Sequence, residues 1–251
     1  MRTLVIGDIH GRFNALKQVL SKSKFDYNKD KLIILGDVVD GGKNTKEVIE
    51  ELLKIKNKVF VLGNHDKWFL DYIKYLKAES IWINQGGRAT FESYGGIIAS
   101  DGYIIGNTEI IKNCFIPKTH IKFFENYVLY HEEVLKNKNN MIFVHGGFDP
   151  NFNPVQIIDM GEENSLLWDR HLIQIAKQKI IPNYDKVFVG HTTTQPFYKE
   201  YNDIKGNKKG PIKFNNLIMM DCGGGWNGRL AIMNIETEEY WLSDLQEPVY
   251  R

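Results

Sequence analysis

The chain has 251 residues, 43% of them apolar and 25% charged, which suits one α/β domain with a sizeable core and leaves little room for two. Its 32 Lys and Arg against 31 Asp and Glu leave a formal net charge of +1, so no overall bias points to nucleic acid or an anionic membrane. The two cysteines, Cys114 and Cys222, lie far apart and outside any C-x-x-C pattern, offering neither a disulfide framework nor a thiolate zinc site. The N-terminal apolar stretch is too short for a signal peptide and no run of about 18 apolar residues occurs, so a cytoplasmic protein is expected.

TLVIGD (3–8) reads as a buried strand with a polar tip, and FNALKQVLSK (13–22) places Phe13, Leu16, Val19 and Leu20 at helical spacing. KLIILGD (31–37) is a second strand, followed by TKEVIEELLKI (45–55) with Val48, Ile49, Leu52 and Leu53 on one face. KVFVLGNHD (58–66) is a third, followed by the helical pattern WFLDYIKYL (68–76). Strand, loop and helix in repeated succession predict right-handed crossovers and a largely parallel sheet covered by helices.

Residues 78–135 are less regular, and KFFENYVLYHEEVL (122–135) reads as helix. This middle segment is expected to be a capping, substrate-selecting insertion within a single domain spanning 1–251, with Trp82, Tyr94, Tyr103 and Phe115 as candidate surfaces for a base or a peptide. Strands resume at 140–147 and 186–192, separated by a loop with three prolines and a helix near 169–179. The runs at 216–223, 229–236 and 238–244 are expected to lie antiparallel to one another, and NDIKGNKKGP (202–211) to be a mobile polar turn.

In open α/β sheets ligands sit just outside the carboxyl ends of strands. Here those tips carry Asp8 and His10, Asp37, Asn64 and His65, His145, and His191. One histidine at a strand end is ordinarily a structural hydrogen-bonder, but this many, packed with two aspartates and an asparagine, would leave like charges and lone pairs unmatched without a cation. A mixed nitrogen and oxygen donor set suits Mn²⁺, Fe²⁺ or Zn²⁺ better than the all-oxygen shells of Ca²⁺ or Mg²⁺. Six candidate ligands exceed what one catalytic metal with an open position needs, whereas two metals sharing a carboxylate fit the count.

GDIHG (7–11), GDVVDGG (36–42), GNHD (63–66), HGG (145–147) and GHT (190–192) occur in that order, and the set resembles the motifs of the calcineurin-like metallophosphoesterases. The likeness is greatest to the protein serine/threonine phosphatase branch and its bacterial and phage relatives, over about 1–75 and 140–245. It implies an α/β metallophosphoesterase fold with central mixed β-sheets in a sandwich flanked by α-helices. It also implies a dinuclear site in which Asp8 and His10 bind the first metal, Asp37 bridges both, and Asn64, His145 and His191 complete the second. Manganese is the first expectation for both ions, with iron, zinc or nickel as alternatives. The implied reaction is hydrolysis of phosphomonoesters, as in phosphoserine or phosphothreonine proteins, by a metal-bridged water, with His65 as general acid and Asp40 orienting it.

The same motifs serve nucleotide-directed hydrolases, such as a symmetrical dinucleoside tetraphosphatase or a polynucleotide phosphatase, so these stand as the alternative. A non-catalytic phospho-binding relative is a third reading. No membrane partner is implied, and the oligomeric state is left open. Asp66, where the family more often has Glu, reads as the N-cap of the next helix.

One position departs from the family pattern Gly-Asp-x-Val-Asp-Arg-Gly: Gly41 stands where the arginine would pair two phosphoryl oxygens. LLWDR (166–170) resembles the family's Leu-x-Trp-x-Arg segment, which makes Arg170 the remaining phosphate clamp. Arg12, after DIHG, and Arg88, in NQGGRATFESYG (84–95), are candidates to fill the vacancy. Gly41 itself is expected to shift preference from dianionic monoesters towards diesters or bulky nucleotides, unless it only serves a turn with positive φ.

Overall fold

The apolar runs of the first third form β1 (Thr3–Ile6), β2 (Lys31–Ile34) and β3 (Asn57–Phe60), alternating with α1 (Phe13–Lys22), α2 (Thr45–Leu53) and α3 (Asn64–Tyr75). The computed structural model describes residues 1–99, 108–135, 138–207 and 209–247. The middle holds β4 (Ala78–Glu79), α4 (Ser80–Trp82), α5 (Arg88–Ser93), β5 (Ile97–Ala99), β6 (Thr108–Lys112), α6 (Lys118–Glu125) and β7 (Tyr130–Val134). Then come β8 (Asn140–Val144), α7 (Pro154–Asp159), α8 (Asn164–Trp168), α9 (His171–Gln178) and β9 (Lys186–Val189). The chain closes with β10 (Ile212–Phe214), β11 (Leu217–Met219), β12 (Ala231–Asn234) and β13 (Tyr240–Leu242).

Two five-stranded sheets result, ordered β13-β12-β1-β2-β3 and β10-β11-β9-β8-β7, with a three-stranded β4-β6-β5 sheet at the side. Both large sheets are mixed: β1, β2 and β3 run parallel, as do β8, β9 and β11, while β12, β13, β10 and β7 pair antiparallel. The period of two along each strand explains the layering. Val5, Ile33, Phe143, Phe188 and Ile218 meet between the sheets, with Phe143 and Phe188 stacked at 4.8 Å. On the outer faces, Leu4, Ile6, Leu32 and Ile34 meet α1 to α3, and Ile142, Val144, Val187 and Val189 meet α7 to α9. A strand buried on both faces has no polar side to show, which is why these segments read as unbroken apolar runs.

Three local expectations are corrected. Residues 122–135 do not form one helix: α6 stops at Glu125, and β7 joins the edge of the second sheet, where Lys31 reaches Glu133 at 2.5 Å. The final runs are not one antiparallel unit, because β11 lies parallel to β9 in one sheet and β12 antiparallel to β1 in the other. Among the described residues of the 202–211 turn, buried Asp203 is the organising group: it accepts from the amides of Lys205, Asn207 and Gly210 and from the Tyr240 hydroxyl. Trp82 and Tyr94 are core residues at 1% and 5% exposure, Phe115 is exposed, and Tyr103 lies outside the described residues. Among the described residues no helix is long and apolar enough to cross a membrane.

Candidate metal centre and active site

The parallel strands of both sheets deliver their carboxyl ends to one edge. Asp8 follows β1, Asp37 follows β2, Asn64 and His65 open α3 after β3, His145 follows β8 and His191 follows β9. Glycine beside these tips has a steric reason: a Cβ on Gly63 would run into the Asp37 carboxylate, and one on Gly190 into that of Asp8. His10, Asp37, Asp40 and His191 all adopt positive φ (48°, 47°, 70° and 58°), a left-handed backbone that side chains rarely adopt.

Two groups of donors form around a common member. Asp8, His10 and Asp37 place one ligand atom each within 4.8 Å of one another, and so do Asp37, His145 and His191. Asn64 joins the second group, its Oδ1 being 2.9 Å from His145 Nε2. Backbone carbonyls fix the imidazoles: His145 Nδ1 donates to Leu35 O at 2.6 Å and His10 Nδ1 to Val39 O at 3.0 Å. A neutral ring held in this way aims the lone pair of Nε2 at the other donors. His145 Nε2 then faces Asn64 Oδ1 and, at 3.4 Å, Asp37 Oδ1, while His10 Nε2 faces Asp37 Oδ2 at 3.7 Å.

Lone pairs converging in a buried site require positive charge. Burial drives His10 down to about 4, against the pull of Asp37, and drives His191 down to about 3, with His145 adding to the effect. Neither of these two rings therefore supplies that charge as a proton at neutral pH, whereas at His145 burial is outweighed by Asp37 and the shift is upward. His191 Nε2 is buried with no hydrogen-bond partner among the described residues. Burial, then Asp221 and Asp37, pushes the Asp8 carboxyl up. The donor types, the orphaned nitrogen and the crowded carboxylates fit two divalent cations sharing Asp37.

His65 stands beside these groups rather than among them. Its backbone N–H donates to Asp37 Oδ1 at 3.0 Å, and its Nδ1 meets Asp40 Oδ2 at 2.6 Å. Burial lowers its pKa, but the Asp37 charge and the Asp40 hydrogen bond outweigh it and leave the ring at about 9. Asp40 is fully buried and held by residues of the 78–135 segment: Thr90 Oγ1 donates to Oδ1 at 2.6 Å and Trp82 Nε1 to Oδ2 at 2.6 Å. The helical stretch from α4 to α5 kinks at Gln85 and Gly86, which lets Gly86 O accept from Gly41 N at 3.2 Å.

A cavity of 280 Å³ opens over Asp8, His10, Asp37, Asn64, His65 and His191, with Arg170 in its wall. Arg170 is exposed, and its Nη1 lies 3.5 Å from Thr192 Oγ1. Arg12 is not in the lining of this cavity; its Nη2 donates to Trp226 O at 3.2 Å and Glu247 O at 2.8 Å, holding the turn whose Gly225 packs on the His10 ring. Arg88 lines a neighbouring cavity together with Gly41.

One further residue of this site lies outside the family motifs, and one inside them has a role other than the expected one. Asp221 follows β11 as Asp8 and Asp37 follow their strands, is 4% exposed, and is pushed up to about 6 by burial and by Asp37. The apolar run ending in Asp was the signal for it. Asp66 is the N3 residue of α3 rather than its N-cap: one oxygen accepts from Gly63 N, and the other from Val38 N and Val39 N, pinning the loop that carries Asp37 and Asp40.

The calcineurin-like phosphoesterase family matches residues 1–205. Over 276 aligned residues the chain is 25% identical to the symmetrical bis(5'-nucleosyl)-tetraphosphatase of Neisseria gonorrhoeae, covering 95% of this chain and 94% of the relative. Its fold aligns with a crystal structure provisionally described as a diadenosine tetraphosphatase, with TM-score 0.61, 18% identity and 100% and 94% coverage of the two chains. It aligns as well with a protein serine/threonine phosphatase from Saccharomyces cerevisiae, with TM-score 0.55, 15% identity and 100% and 81% coverage, so both likenesses are of fold. The family match spans most of a chain whose strand ends gather a two-group donor set, and the chain belongs to the calcineurin-like phosphoesterases, hydrolases of phosphoester bonds.

Proposed function

We propose that the chain is a dinuclear-metal hydrolase whose substrate is a dinucleoside polyphosphate. The observation that carries the chemistry is Asp37, common to both donor groups and hydrogen-bonded to the amide of His65. Asp8, His10 and Asp37 would hold one cation, and Asp37, Asn64, His145 and His191 the other, with manganese as the first choice. When bound, such a pair acidifies water and neutralises phosphoryl oxygens.

The chain's own residues supply the rest. Asp40 fixes the His65 ring through Nδ1, so the proton on Nε2 is free to be given to the oxygen that leaves phosphorus. Arg170, in the cavity wall, offers a planar cation to the phosphoryl oxygens. The segment from 80 to 93 caps the site and, through Trp82 and Thr90, takes part in holding Asp40.

The nucleotide class is favoured because a relative bearing that activity in its name aligns over 94% of its length. The phosphoprotein reading drawn from the motifs has only the fold likeness behind it. Mn²⁺-reconstituted protein should be assayed on diadenosine tetraphosphate, a phosphopeptide, p-nitrophenyl phosphate and bis-p-nitrophenyl phosphate. The expected kcat/KM on the tetraphosphate exceeds that on the phosphopeptide by about 100-fold, and His65→Asn and Asp37→Ala abolish turnover. The reverse order of substrates would assign a phosphoprotein, and no turnover on any of them a phospho-binding module.

A further inference from the structure

Beside the catalytic cavity lies a second one of 350 Å³, walled by Gly41, Lys43, Gln85, Arg88, Ala89 and Trp226. The two are contiguous, since His10, Gln85 and Trp226 line both. We propose that this second cavity receives the leaving half of the substrate, a nucleoside diphosphate, and that Gly41 keeps it open. The inference rests on the nucleotide reading given above.

The position follows from where the acid stands. A leaving oxygen must come within hydrogen-bond reach of His65, so whatever that oxygen carries extends to the same side. His65 and His10 pack edge to face with ring centres 5.1 Å apart, and His10 lines both cavities. Asp40, the partner of His65, directly precedes Gly41, which is itself in the lining. Any side chain at 41 would start between Gly225 O, 3.3 Å from an added Cβ, and His10 Cβ, 3.6 Å from it, both part of the lining. Glycine there removes both the arginine's charge and its bulk.

The chemistry of the walls matches a nucleoside diphosphate. The volume falls within the range of about 300–1,000 Å³ common to small-molecule sites. Lys43 and Arg88 are exposed cations with no carboxylate partner among the described residues, available to a diphosphate. Ile83 and Ala89 give an apolar surface to a base, and Glu92 an acceptor for a ribose hydroxyl. Symmetrical cleavage forms one P–O bond from water and breaks the central P–O–P bridge. The bridging oxygen departs with the nucleoside diphosphate and takes its proton from His65, while the proton lost by water passes to solvent.

The test uses Mn²⁺-loaded protein, wild type and the variants Lys43→Ala, Arg88→Ala and the cavity-filling Ala89→Leu. Two quantities are read: the ratio of kcat/KM on diadenosine tetraphosphate to that on p-nitrophenyl phosphate, and the inhibition constant of ADP against p-nitrophenyl phosphate. The ratio should fall about tenfold and the ADP constant rise about tenfold, a change of one factor of ten per lost charged contact. Unchanged values in the two surface variants, which do not depend on core packing, would overturn the proposal. A wild type that leaves diadenosine tetraphosphate intact removes the nucleotide reading of the enzyme; ADP inhibition then decides the cavity alone, retained if Arg88→Ala weakens it and rejected if not.

Discussion

Trp82 Nε1 donates to Asp40 Oδ2 at 2.6 Å, the same oxygen that meets His65 Nδ1 at 2.6 Å. A residue of the 78–135 segment thus supports the proposed acid through one intervening carboxylate. Trp82→Phe keeps a ring in the aromatic cluster with Phe69 and Phe91 and removes the donor. Loss of such an outer partner typically costs about 10–100-fold in activity. The loss should be larger for an alkyl phosphate, whose leaving oxygen needs a proton, than for p-nitrophenyl phosphate. Equal losses on the two substrates would mean that Trp82 acts through packing alone.

The crowding of Asp8, Asp37, Asp66 and Asp221, all buried, would make cation binding a matter of stability as well as of the proposed catalysis. Burial together with Asp37 pushes Asp66 up to about 7, a sign of uncompensated negative charge. A cation that binds only the folded chain adds about 2.7 kcal/mol at 100 times its dissociation constant. For a domain of this size that corresponds to roughly 5–10 °C in melting temperature. Titrating Mn²⁺ in a thermal melt should show this rise, EDTA should reverse it, and Asp37→Ala should lose most of it; a melting curve indifferent to Mn²⁺ in the wild type would remove the metal assignment.

Much of the site was legible because its residues sit where apolar strands stop. Asp8, Asp37, Asn64, His145 and His191 each follow a short run of β-branched and aliphatic residues, and a strand's end is a local signal. What supports those residues was less legible. Trp82 and Thr90 reach Asp40 across more than forty positions, through a kinked helix whose course depends on Gly86 at φ 110°. Nothing near Asp40 in sequence announces them. Fold details failed for a related reason: β11 and β12 are neighbours in sequence with the same apolar character, and only the partner strands already present in each sheet decide that they separate. Arg12 and Arg88 show the same limit, since long side chains near a motif can serve either the ligand or the backbone, and Arg12 binds carbonyls of the 226 and 247 region.

Gly41 has φ 78°, where an L-residue is strained by about 1–2 kcal/mol, so Gly41→Ala should lower stability by that amount while its Cβ meets no hard clash. Gly41→Arg carries the same strain but restores a guanidinium beside the phosphate site. Its ratio of kcat/KM for p-nitrophenyl phosphate over bis-p-nitrophenyl phosphate should rise about tenfold above wild type, the worth of one charge-assisted contact to a dianion. An unchanged ratio would show that the glycine does not set this preference.

Far from the site, Asp30 fastens the N-terminus: its Oδ1 accepts from Arg2 N at 3.0 Å, and Oδ2 from Arg2 Nη2 at 2.6 Å and Asp26 N at 3.1 Å. Burial opposes the charge, but the Arg2 and Asp26 hydrogen bonds outweigh it and hold the carboxyl below the usual range. Because the folded value lies below the unfolded value of about 3.9, the unfolded chain binds the proton first as pH falls. The stabilisation is therefore complete above the unfolded value and disappears as pH drops through the folded one. Asp30→Asn should cost about 1.5–3 kcal/mol at pH 7, the usual worth of hydrogen bonds to a charged group. In urea titrations from pH 7 to pH 2, the gap between wild type and variant should close only below about pH 4. Comparing the two proteins at each pH cancels the acid sensitivity of the carboxylates gathered at the strand ends, which both share, so a gap that persists unchanged to pH 2 would show that shape rather than charge at Asp30 holds the strand.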